Sequence, residues 1–323
     1  AAENTTSFYI SGDDDFLLPG LRINEEIVSR NISDFDNVSI EKIDEIPSLK
    51  KYIDYGKNQK IFKSDIYGGN QSDVYELINS RNEGEKLSDV NQKKADRLSS
   101  IIKKYFPNVS DKQEVSIAEN YTNCGCEYMA VANAFASYID ENKLYDKFSE
   151  CFGYDLFNDG ICNYESIAFE AYLKSVSDTY GDDIETLLKK SNGVSQISFN
   201  SIFDDFFKEK GFNINTTASE LKNPESLASQ ILNNQGEYHV LEASNFDMEQ
   251  ISTNYLENEI IDGALKNAII DGNKKENVGG HAMIITDFDD NNNIFVSSWS
   301  RKYQFLPDSL KKNNGNARVR SIK

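Results

Sequence analysis

Asn120-Tyr121-Thr122-Asn123-Cys124-Gly125-Cys126 runs straight into Glu127-Tyr128-Met129-Ala130-Val131-Ala132-Asn133-Ala134-Phe135-Ala136. Residues 126–141 read as a helix, and Ala130, Ala132, Ala134 and Ala136 leave room for neighbouring elements to pack closely. Cys126 therefore opens a helix. The positive end of a helix dipole favours thiolate over thiol. The unbonded N–H groups of a first helical turn can also hold an oxyanion. This stretch predicts a nucleophilic thiol at the head of a helix.

A thiolate nucleophile needs a base, and the chain has only two His, His239 and His281. His239 sits between Tyr238 and Val240 in a segment, 237–243, that reads as a strand, where a lone His is most simply a packed residue. His281 follows Gly279-Gly280 and opens the apolar run 281–287, which forms a hairpin with 294–300 across Phe-Asp-Asp-Asn-Asn-Asn. A turn centred near Asp289–Asp290 puts residues 297–299 opposite His281, so Ser297 or Ser298 is placed to orient the imidazole. Asp287, six residues along the same strand as His281, lies about 20 Å away and is out of reach.

Further out, residues 85–106 carry apolar residues at helical spacing, with Ser88 as a candidate N-cap and Pro107 as the stop. Helical patterning continues over 165–190 and 217–234, and 317–322 reads as a final strand. Helices come first and strands second, which predicts an α+β fold. With 323 residues, the chain suits one large domain or two ordinary ones. Its 17 Tyr and 19 Phe can fill a sizeable core.

The net charge of −19 argues against nucleic acid and against an anionic membrane surface as partners. No apolar run is long enough to span a bilayer. Four Cys are too few for a disulfide scaffold, and a Cys-x-Cys spacing with two His is a poor metal site, so no metal or cofactor is expected. The start at Ala-Ala-Glu-Asn and the richness in Asn, Ile and Lys are read as a mature secreted protein of an AT-rich bacterium.

The ordered set of motifs resembles the papain-like cysteine peptidase superfamily. Cys124-Gly125-Cys126 is similar to the family's Cys-Gly-Ser-Cys with one residue lost; Gly280-His281-Ala282-Met283 resembles its His motif; Ser297-Ser298-Trp299-Ser300 resembles its Asn-Ser-Trp-Gly. The resemblance implies a helical lobe carrying Cys126 and an antiparallel sheet lobe carrying His281. It assigns Asn120, six residues before Cys126, to the family's oxyanion Gln, and Ser297 to the Asn that orients the His. Cys124 is an alternative nucleophile, since some relatives use Cys followed directly by Gly. The implied catalytic domain covers 108–323, and 1–107 is an N-terminal extension, either a propeptide, as in a zymogen, or an integral part. A disulfide like the family's would join Cys124 to Cys162, while Cys151 and Cys162 could instead pair with each other. The activity implied is peptide hydrolysis through a thiolate–imidazolium pair acting on a protein or peptide substrate. The alternatives are a deamidase or transglutaminase on the same scaffold, and a catalytically inactive papain-like binding protein, for which Ser297 is the motive.

Overall fold

The computed structural model describes residues 71–87, 89–158, 161–190, 199–221, 238–250, 257–261, 264–268, 275–288, 293–299 and 301–322. It is a mixed α+β fold with a helical layer followed by an antiparallel sheet. The helical layer holds α1 (Ser72–Asn82), α2 (Asp89–Tyr105), α3 (Asp111–Cys124), α4 (Cys126–Glu141) and α5 (Tyr145–Phe152). After the two-residue strands β1 (Phe157–Asn158) and β2 (Ile161–Cys162) come α6 (Tyr164–Tyr180), α7 (Ile184–Lys190) and α8 (Phe199–Glu209).

Local chemistry sets these limits. Ser110 and Gln113 form a capping box at the head of α3, with Gln113 N–H donating to Ser110 Oγ at 3.2 Å and Ser110 N–H to Gln113 Oε1 at 2.9 Å. Gly125 alone separates α3 from α4. A Cβ there would lie 2.7 Å from both the Tyr121 carbonyl oxygen and the Tyr121 ring. Gly125→Ala is therefore expected to destabilise the fold by about 1–3 kcal/mol, because the overpacked atom meets backbone as well as side chain. Chemical denaturation of the variant beside wild type would read this.

The sequence pattern locates 126–141 as observed. The pattern over 165–190 is broken into α6 and α7 at Gly181, whose φ of 66° lies outside the helical range. The expected helix over 85–106 appears as α2, from Asp89, while Ser88 lies outside the described residues. The helix expected over 217–234 is corrected at its start. Thr216–Glu220 forms β3, whose Thr-Thr pair suits a pleated strand and which pairs antiparallel with Arg318–Ile322. Residues 222–237 lie outside the described ones.

The sheet is built from β3, β4 (Tyr238–Gln250), β7 (Lys275–Phe288), β8 (Ile294–Ser298), β9 (Arg301–Leu306) and β10 (Asn316–Ile322), in the order β3-β10-β4-β7-β8-β9. A separate hairpin joins β5 (Glu257–Ile261) to β6 (Ala264–Ala268), and a short helix, α9 (Pro307–Lys312), links β9 to β10. β4 also pairs with β9, through Asp247↔Leu306 to Gln250↔Tyr303, so β4, β7, β8 and β9 close into a small barrel.

Alternation along the strands gives the sheet two buried faces. Tyr238, Val240, Ala282, Ile284 and Ile322 join the helical core. Leu241, Ala243, Met283, Val296 and Phe305 fill the barrel. In the helical core Phe135 stacks on Phe207 at 4.4 Å and meets Phe148, Phe152 and Phe212. Val74 and Leu98 share this core with Ile117 and Phe169, so helices on both sides of residue 107 pack as one body.

Candidate active site

Cys126 is the first residue of α4, which packs against β7. It is 2 % exposed, and the backbone N–H groups of Ala282 and Glu127 lie close enough to act on its sulfur. Helix-end position and two N–H donors both favour thiolate. Burial outweighs them and, with the neighbouring Glu127 and Glu242, pushes the thiol up to about 12. The lowered thiol expected from the sequence is thus reversed.

Cys124 ends α3, and its thiol donates to the Asn120 carbonyl at 3.1 Å. Burial raises this thiol as well. It sits at a helix C-terminus, where orphan carbonyls rather than N–H donors gather, so the chemistry expected of a nucleophile is absent there. Asn120 lies one turn earlier on α3 and is partly exposed. All four cysteines are free thiols, so neither the Cys124–Cys162 nor the Cys151–Cys162 bridge forms.

His281 lies in β7 and is 1 % exposed. Its Nε2 hydrogen-bonds Ser298 Oγ, and its ring stacks on Trp299 with centroids 4.4 Å apart at 23°. Its Nδ1 has no hydrogen-bond partner among the described residues. Burial lowers the imidazole to about 3. Trp299 holds a left-handed backbone, φ 51°, an uncommon state for a bulky residue. Its burial between His281 and Tyr303, the latter edge-on at 6.0 Å, holds it there.

The strand register explains why Ser298 meets the imidazole. Ile284 pairs with Ser297, so Ser297 shares the face of Ile284 and Ala282. His281 and Ser298 lie on the other face.

The same alternation separates the two central candidates. Ala282 faces the helices, whereas His281, paired with Ala243, faces the barrel. Cys126 thus reaches β7 at the residue next to His281, and no hydrogen bond joins thiol and imidazole. His239 stands apart on β4, with Nδ1 3.3 Å from Ser321 Oγ, and burial lowers it to about 4.

Sequence reasoning missed the charges behind the thiol. Glu127, Glu242 and Arg320 are fully buried, and Arg318 nearly so. The signal was Arg318-Val319-Arg320 in a strand, which places two cations on one face of a sheet covered by helices. Among the described residues no cluster of His, Cys, Asp and Glu is placed to hold a metal ion, and no helix is long and apolar enough to cross a membrane. No protein-family model matches the chain, and neither curated proteins nor solved structures give a match.

Proposed function

We propose that the chain is a papain-like cysteine peptidase whose site is shut in its resting form, with Cys126 as nucleophile and His281 as base. The observation that carries the reading is the position of Cys126 at the head of α4 beside Ala282 of β7, one residue from an imidazole whose Nδ1 has no partner among the described residues. In the reaction Nδ1 takes the thiol proton and the thiolate attacks a peptide carbonyl. First-turn N–H groups of α4, with Asn120 nearby, face the developing oxyanion. The imidazolium then protonates the leaving amine, and water hydrolyses the thioester. Ser298 and Trp299 support the His in the place given to Ser297 by the sequence motif. Reaction requires the imidazole to come from the barrel side of β7 to the thiol. The proposal carries with it a protein or peptide substrate and a secreted bacterial setting.

A second reading, an inactive papain-like binding protein, is favoured by one observation: both groups are buried in their neutral forms on opposite sides of β7. Hydrolysis of an unstructured protein separates the two. The first reading expects cleavage that Cys126→Ala and His281→Ala each reduce to background. Equal rates of cleavage in wild type and Cys126→Ala sink it. Ammonia release without cleavage would point to a deamidase on the same residues.

A further inference from the structure

The buried charges behind Cys126 form one cluster across three elements. Arg320 of β10 directs Nε to Glu127 Oε1 at 2.6 Å and to Glu242 Oε1 at 2.9 Å. Arg318 Nε, from the same strand face, bonds Glu242 Oε2. Glu127 adjoins Cys126 on α4, and Glu242 pairs with Ala282, the residue whose N–H acts on the Cys126 sulfur.

Glu127 Oε1 and Glu242 Oε1 both converge on the single Nε–H of Arg320, so the two carboxyls lie side by side in the same buried cluster. Two ionised carboxylates offer only acceptors and repel each other at one shared donor, and a proton on one of them removes the repulsion. Glu127 Oε2 is enclosed and meets no donor among the described residues. A bare charge there would be buried without compensation, whereas a carboxylic acid O–H becomes the missing donor.

We propose that Glu127 is held as a neutral carboxylic acid donating to Glu242, and that in this form it is a positioning residue seating Cys126 against Ala282. The positioning role rests on Cys126 being the nucleophile; the bound proton does not. The division of charge follows from the partners. Burial acts to raise Glu242, but Arg320 and Arg318 outweigh it and hold the carboxyl well below the usual range. Among the described residues Glu127 hydrogen-bonds Arg320 and not Arg318, and burial followed by the Glu242 charge pushes it well up. The other titratable or charged groups facing the pair are Cys126 and Tyr128 on α4, Asp204 on α8, and Arg318 and Arg320 on β10. β7 presents Ala282 to the pair, with His281 on the opposite face.

Glu127→Gln tests this, because Gln copies the neutral acid, with one acceptor and one donor. The folded Glu127 pKa lies above its unfolded value, so wild-type stability is fully present below the ordinary carboxyl range and is lost as pH rises. The expected result is a Tm for Glu127→Gln equal to or above wild type at pH 7, with a gain that widens toward pH 9. The infrared carbonyl band of a buried protonated carboxyl should be present in wild type and absent from the variant. Alkylation of Cys126 should be unchanged in Glu127→Gln and altered in Glu127→Ala.

A Tm lower by about 10 °C in Glu127→Gln, constant with pH, would mean an ionised partner of Arg320 and would overturn the proposal. Unchanged alkylation in Glu127→Ala would overturn the positioning role. Failure of the peptidase reading shows separately, as cleavage that does not depend on Cys126.

Discussion

Arg320→Met is expected to cost about 3–5 kcal/mol, because it leaves the Glu242 carboxylate buried beside Glu127 with one cation instead of two. For a chain of this size that is a fall of about 10 °C in Tm. Met fills much of the Arg volume, so the loss reports charge and hydrogen bonds rather than a cavity. Arg320 is wholly buried and bonds α4 and β4 from β10, so its loss takes the same cation from both elements. Arg320→Lys keeps the charge but loses the planar guanidinium that reaches two carboxylates, and should fall between Met and wild type. Thermal unfolding of the three proteins at neutral pH checks the order. A Met variant as stable as wild type would mean that the Glu242 carboxylate is compensated elsewhere.

Trp299→Ala is the second large effect, about 3–5 kcal/mol, from removal of a buried indole at 2 % exposure. Its further consequence is electrostatic. His281 is held neutral, with its pKa lowered from 6.5 to about 3 by burial. Between those values the unfolded chain binds a proton that the folded chain does not. Wild-type stability is therefore complete above pH 6.5 and declines as pH falls toward 3. Opening the Trp299 side lets water reach the ring, raises the imidazole toward its ordinary value and flattens that decline. Imidazole proton resonances followed through the titration report the shift directly. Denaturant melts from pH 7 to pH 4 report the linked stability.

The elements that carry the candidate site were legible because their patterns are strong and local. The Ala-rich run after Cys126 gives α4 over its full length, and the apolar run after Gly280 gives the core of β7. The break at Gly181 and the strand at Thr216–Glu220 were not legible. The first depends on one residue's backbone, and the second on pairing with β10 at the far end of the chain. The choice of Ser298 over Ser297 likewise depended on register. The sequence spacing expects a hairpin centred near Asp289–Asp290, but the observed pairs Ile284↔Ser297 and Ile285↔Val296 place its centre later, with a bulge beyond Ile285. Face assignment follows register, so the side of β7 on which His281 stands was hidden as well. The neutral state of Cys126 was hidden for another reason: burial depends on what covers a residue, which local spacing does not encode.

The long strand β4 spends its two halves on different neighbours, β10 along Tyr238–Ser244 and β9 along Asp247–Gln250, while β7 occupies its other side. Strands that close on themselves present no backbone template to a second chain. β3 is the terminal strand of this sheet. It is five residues long, with Thr217, Ala218, Ser219 and Glu220 exposed. A short, polar rim of this kind is poorly suited to edge-to-edge association, so the strand that frames the candidate site also guards the sheet against aggregation.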